Sequence, residues 1–166
     1  MTLSSGPVAP PSASFTIRPA SLADAAFLFS LAPRLAGVHQ PPWHDLAAMG
    51  EFQHRYMVET FGNVPEGSLT LVAVSTENVP LGYIHAHPDR DGVTDEPCGY
   101  VSLLAVEEKA EGLGVARQLM AQAEDWAREK GFRLLSLDVF ADNGRALNFY
   151  RRGGFRAEMV RMVKPL

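Results

Sequence analysis

With 166 residues, 46% of them hydrophobic, the chain suits one compact domain around one core. Its formal net charge of -4, with no stripe of lysine or arginine, argues against nucleic acid as a main partner and suits a cationic acceptor such as an amine. The single cysteine, Cys98, excludes an intrachain disulfide and a cysteine-based metal cluster and points to a reducing, cytoplasmic setting; no apolar run reaches the roughly 18 residues of a membrane helix, and no membrane partner is expected.

Residues 1–14, rich in Ser, Pro and Ala, hold too little bulky apolar surface to offset the entropy of ordering and are expected to form a flexible tail. A domain then spans 15–166. Phe15 to Arg18 reads as a strand, and a helix follows Ser21, with Leu22, Ala25, Ala26 and Phe29 on one face and Pro33 as its end. A second helix is expected from Asp45 to Phe61, with Met49, Phe52, Tyr56 and Val58 as apolar surface. The loop His39-Gln40-Pro41-Pro42-Trp43-His44 between them places Trp43, together with Tyr56 of the helix, as candidate acceptor contacts.

Three strands follow, Ser68 to Val74, Val79 to His87 and Gly99 to Val106, separated by polar turns. In the middle one Leu81, Tyr83, His85 and His87 are expected on one face. Two histidines there could ligate a metal, but no third ligand is in view and no metal is expected. Val115 to Lys130 reads as an amphipathic helix, with Val115, Leu119, Ala123, Trp126 and Ala127 on one stripe and Gly131 as its stop. Leu134 to Phe140 reads as a strand and Arg145 to Arg152 as a helix; Phe155 to Glu158 and Met159 to Val163 are expected to be extended.

The densest chemical signal is Leu103-Leu104-Ala105-Val106 running through Glu107 to Gly112-Leu113-Gly114-Val115-Ala116. A strand feeds a glycine loop that opens into a helix, whose first amides lack partners and whose dipole favours an anion. Small residues at 112, 114 and 116 let a phosphate approach the backbone. No Gly-Lys-Ser/Thr follows, so the loop is not a Walker loop, and it lacks the downstream acid of a dinucleotide fingerprint. Further on, Asn143, Ala146 and Tyr150 share one helix face.

Taken in order, the Leu-Ala-Val strand end, Gly-x-Gly-x-Ala, the helix ending near Trp126, Asn-x-x-Ala-x-x-x-Tyr and Gly154-Phe155 make the chain resemble the GNAT acyltransferase superfamily over about residues 15 to 166. The resemblance implies an α/β (α+β) fold: a central, mixed, mostly antiparallel twisted sheet of six to seven strands with about four helices, splayed between strands 4 and 5. It implies acetyl-CoA as cofactor, with Leu104, Ala105 and Val106 along pantetheine, Glu111, Gly112, Leu113, Gly114, Val115 and Ala116 at the pyrophosphate, and Asn143, Ala146 and Tyr150 beside the arm. An N-acetyltransferase acting on a primary amine follows, with a non-catalytic acyl-CoA-binding or interaction module as the alternative. Tyr150 resembles the general acid of the family, and the pairing is sensible because a phenol pKa of about 10 and a thiol pKa of about 8.5 to 9 are close. The base stays open among Tyr100, Glu96, His85 and a water chain. Dimers are common among similar proteins, which leaves a homodimer open. Glu111 stands where similar proteins usually carry Arg or Gln, and Leu113 where they often carry a basic residue.

Overall fold

Alternating, β-branched runs pair into a sheet whose order follows the chain. In the computed structural model, which describes residues 14–37 and 41–166, β1 (Phe15–Pro19), β2 (Leu69–Ser75), β3 (Pro80–Arg90) and β4 (Pro97–Val106) pair antiparallel with their neighbours, and β5 (Leu135–Leu137) joins β4 in parallel. The tail expected over 1–14 lies, apart from Ser14, outside the described residues, as do His39 and Gln40.

The sheet has five strands among the described residues rather than six to seven. Phe155 to Val163 enters no ladder, and Met159 and Met162 stay 81% and 86% exposed. Phe155, Ala157 and Met159 alternate in one phase and Val160 and Met162 in the other, so the segment offers no single apolar face to bury. β5 is also shorter than Leu134 to Phe140, leaving the sheet after Leu137.

Helices cover both faces. On one lie α1 (Ala25–Ser30), α2 (Ala32–Gly37) and α3 (Leu46–Gly62), with Leu28, Leu31 and Met57 packed on Val72, Val74, Tyr83, Leu103 and Ala105. On the other lies α4 (Val115–Glu129), which buries the predicted stripe plus Met120, with Phe149 and Tyr150 of α5 (Gly144–Arg152) packed beside it. Pro33 does not stop the helical run. It sits in the first turn of α2, where its missing N–H is not needed. Asp45 caps α3 by accepting from the Ala48 amide at 2.7 Å. The inward face of α3 is Met49, Gln53 and Met57, which leaves Phe52 and Val58 43% and 47% exposed. Arg18 donates to both carboxylate oxygens of buried Asp24 at 2.8 Å, tying β1 to the turn before α1.

Two bulges reset strand faces. The β2–β3 register skips Leu81, so Leu81 joins the α4 side instead of sharing a face with Tyr83 and His85. The β3–β4 register skips Ser102, between Ala86↔Val101 and His85↔Leu103. No helix among the described residues is long and apolar enough to cross a membrane.

Candidate active site

The bulge at Ser102 governs the geometry of the site. β5 pairs with β4 only at Gly99, Tyr100 and Val101; pairing ends where the extra residue bends β4, as bulges do. Beyond it, Leu104, Ala105 and Val106 are held by β3 on one edge, opposite Ile84, Tyr83 and Gly82. The other edge faces no strand among the described residues, which leaves backbone donors and acceptors open to a ligand that can act as a strand.

That open edge runs into the glycine loop. A 3-10 turn, Glu108–Ala110, leads to Gly112 (φ +76°) and Gly114 (φ +83°), left-handed conformations that side chains disfavour. Gly114 is the N-cap of α4 and supplies no side-chain cap, so the first amides of the helix stay available. A Cβ on Gly112 would meet nothing within 4 Å, so space above the loop is open. Backbone donors, a helix N-terminus and room for a phosphate therefore fit a pyrophosphate-bearing cofactor. Glu111 is not a bare charge: its carboxylate pairs with Arg34 of α2 and, at 2.7 Å, with Arg145 of α5. The side chain at Arg145, then that at Arg34, pulls its carboxyl below the usual range.

On the α5 side, the Asn143 side chain accepts from the Ala146 amide at 3.1 Å and caps the helix, which occupies its oxygen and leaves its NH2 for another partner. Tyr150 packs between Phe149 and Phe155, ring centroids 5.2 and 5.7 Å away. Burial pushes its phenol up to about 12, so it keeps its proton throughout the physiological range.

The other end of the opening is lined by side chains from three elements. The Tyr100 hydroxyl donates to Asp138 at 3.1 Å, and Tyr56 of α3 interacts with Tyr100 and Ser102. Burial pushes the Tyr100 phenol up, reinforced by Tyr56 and Asp138, and so it stays a donor. The His87 ring lies 5.3 Å from that of Tyr100, tilted by 47°. Asp138 was not singled out from the sequence; its only signal is a carboxylate interrupting the apolar run from Leu134 to Phe140.

The remaining candidates are scattered. His85 is fully buried, its Nδ1 is 2.7 Å from the Thr70 hydroxyl, and burial, then His87, lowers its pKa to about 4. Glu96 pairs with Arg133 at 3.0 Å, four residues and roughly 13 Å along the chain from Tyr100. Trp43 lies before α3 against His44, and the start of that helix is about 15 Å in helical rise from Tyr56.

Residues 34–155 match the Acetyltransferase (GNAT) family. A curated relative, the uncharacterized N-acetyltransferase YycN of Bacillus subtilis, is 34% identical over 84 residues, 51% of this chain and 51% of that protein. The chain thus spans about half the length of this relative and a smaller share of others. Among solved structures, an acetyl transferase candidate from Pyrococcus furiosus superposes with a TM-score of 0.77 at 22% identity, covering 92% of this chain and 100% of that one. An aminoglycoside N-acetyltransferase, AAC(6')-Iy, solved in complex with CoA, superposes with a TM-score of 0.66 at 20% identity, covering 95% and 99%. At these identities the structural likeness is one of fold.

Proposed function

The chain belongs to the acetyltransferase (GNAT) family, and we propose that it is an N-acetyltransferase moving an acetyl group from acetyl-CoA to a primary amine of a small molecule or protein by direct attack in a ternary complex. One observation carries the reading: the edge of β4 is open from the Ser102 bulge to Val106 and leads into the uncapped start of α4 at Gly114.

Acetyl-CoA supplies an acetyl group activated as a thioester. The backbone of Leu104 to Val106 pairs with the pantetheine arm as an added strand. The amides of Gly112 to Ala116, with the dipole of α4, hold the pyrophosphate, and the Asn143 NH2 contacts the arm. Unpaired β4 amides are placed to donate to the thioester oxygen as it gains charge.

At the acceptor end Asp138 draws in the ammonium group and takes its proton, directly or through a water, so that nitrogen attacks with a lone pair. Tyr100, held protonated, orients the carboxylate through its hydrogen bond, and Tyr56 closes the wall. His85 is fully buried with its Nδ1 engaged by Thr70, so it is not presented to the acceptor amine. Tyr150 donates its phenolic proton to the departing sulfur. The ammonium loses one proton to Asp138 before attack and a second as the C–S bond breaks and the amide forms; that second proton restores the Tyr150 phenol, which has given its own to the sulfur.

Thiol release from acetyl-CoA against a panel of primary amines tests the proposal. Turnover that needs an amine and falls in Asp138→Asn supports it. Acetyl-CoA binding with no turnover on any amine would favour a binding module instead.

A further inference from the structure

The ion cluster at Glu111 joins elements from opposite faces of the sheet. Arg34 belongs to α2 on one face of the sheet and Arg145 to α5 on the other, and Glu111 lies between them, next to Gly112. The cluster therefore crosses the end of the opening beside the phosphate loop. Its side chains are reachable: Glu111 is 27% exposed, Arg34 34% and Arg145 67%.

A lone carboxylate at this position would repel a diphosphate, yet two guanidinium groups around one carboxylate leave the cluster net positive. Guanidinium pairs with phosphate and carboxylate by the same planar, two-pronged hydrogen bonding. A diphosphate offers more oxygens and more charge than one carboxylate. It can take over both guanidinium groups while the Glu111 side chain turns to solvent.

We propose that Arg34 and Arg145 form a second, side-chain half of the diphosphate site, held in place by Glu111 until an incoming CoA-type diphosphate displaces its carboxylate. The inference rests on the CoA reading above. Glu111 then acts as a placeholder that keeps both arginines beside the loop and sets how strongly the diphosphate is held. Closing the pair around the diphosphate also joins the two helical layers across the opening.

Calorimetric titration of the full chain with CoA, alongside ligand-observed NMR titration with pantetheine, which has the arm but no phosphate, separates the outcomes. Glu111→Gln is expected to bind CoA at least threefold more tightly, and Arg34→Ala and Arg145→Ala at least tenfold more weakly. Pantetheine affinity is expected to stay within twofold in all three. Arg145→Lys, which keeps the charge and loses the fork, should fall between wild type and Arg145→Ala. Unchanged CoA affinity in both arginine variants, weaker binding in Glu111→Gln, or pantetheine binding that falls in step with CoA would each overturn the proposal. Wild-type protein that binds no CoA would overturn the CoA reading as well, whereas normal wild-type binding with indifferent variants overturns this inference alone.

Discussion

The two ends of the opening are built by different means. The end proposed for the cofactor is backbone: an open β4 edge, two glycines at positive φ and an uncapped helix start. The end proposed for the acceptor is side chain: Tyr56, Tyr100 and Asp138, brought together from α3, β4 and the end of β5. Backbone recognition depends on local conformation, which a few residues in a row can dictate; a side-chain cluster depends on how distant elements are packed. The first kind suits a ligand that many proteins share, the second an acceptor that differs between them.

Substitutions at the two ends should therefore separate in kinetics. The largest effect is expected at Asp138→Asn, a loss in kcat of about 10²-fold or more with acetyl-CoA affinity unchanged; equal losses in both would merge the two ends. Tyr150→Phe should lower kcat roughly 10²-fold and leave the Kd for acetyl-CoA near wild type in a binding titration. Gly114→Ala forces a side chain into φ +83°, costs about 1 to 2 kcal/mol of stability and weakens acetyl-CoA binding, while the acceptor KM stays put; denaturant melts and titration read both.

A smaller effect concerns the tie between β1 and the turn before α1. Hydrogen bonds from Arg18, the largest influence, and from Ser21 hold the Asp24 carboxyl well below its usual range against the opposing effect of burial. Its folded pKa lies below the unfolded value near 4, so its contribution is complete above that value and is lost as pH falls. Because Arg18 is 36% exposed, Asp24→Asn should cost only about 1 to 2 kcal/mol at pH 7, and its melting point should converge with wild type in acid. Smallest of all, Trp43→Ala should raise the acceptor KM less than Tyr56→Phe does, because Tyr56 meets Tyr100 while Trp43 sits at the far end of α3.

The same division explains what could be read without coordinates. Gly112, Gly114 and the stripe on α4 stand out because each follows from local geometry or from a helical period. Asp138 does not, because nothing near it in the chain reveals that Tyr100 lies within hydrogen-bonding reach. The strand faces failed where a bulge intervened: Leu81 changed sides because the register skips it. The bulge at Ser102 was equally invisible, since one extra residue in a strand leaves no compositional trace. The Arg34–Glu111–Arg145 cluster joins α2, the loop and α5 over large sequence separations, so Glu111 in the sequence looked like an uncompensated charge. The final segment misled because its composition favours strands while its apolar phase shifts at Met159 and Val160.

Thermal unfolding with acetyl-CoA, and with ATP as control, tests the central claim that the open β4 edge and the glycine loop hold a CoA thioester. At a hundred times Kd a ligand adds about 2.7 kcal/mol, and at roughly 2 to 4 °C per kcal/mol for a domain of this size the midpoint should rise by about 5 to 10 °C with acetyl-CoA and not with ATP. No rise, or an equal rise with ATP, would contradict the account.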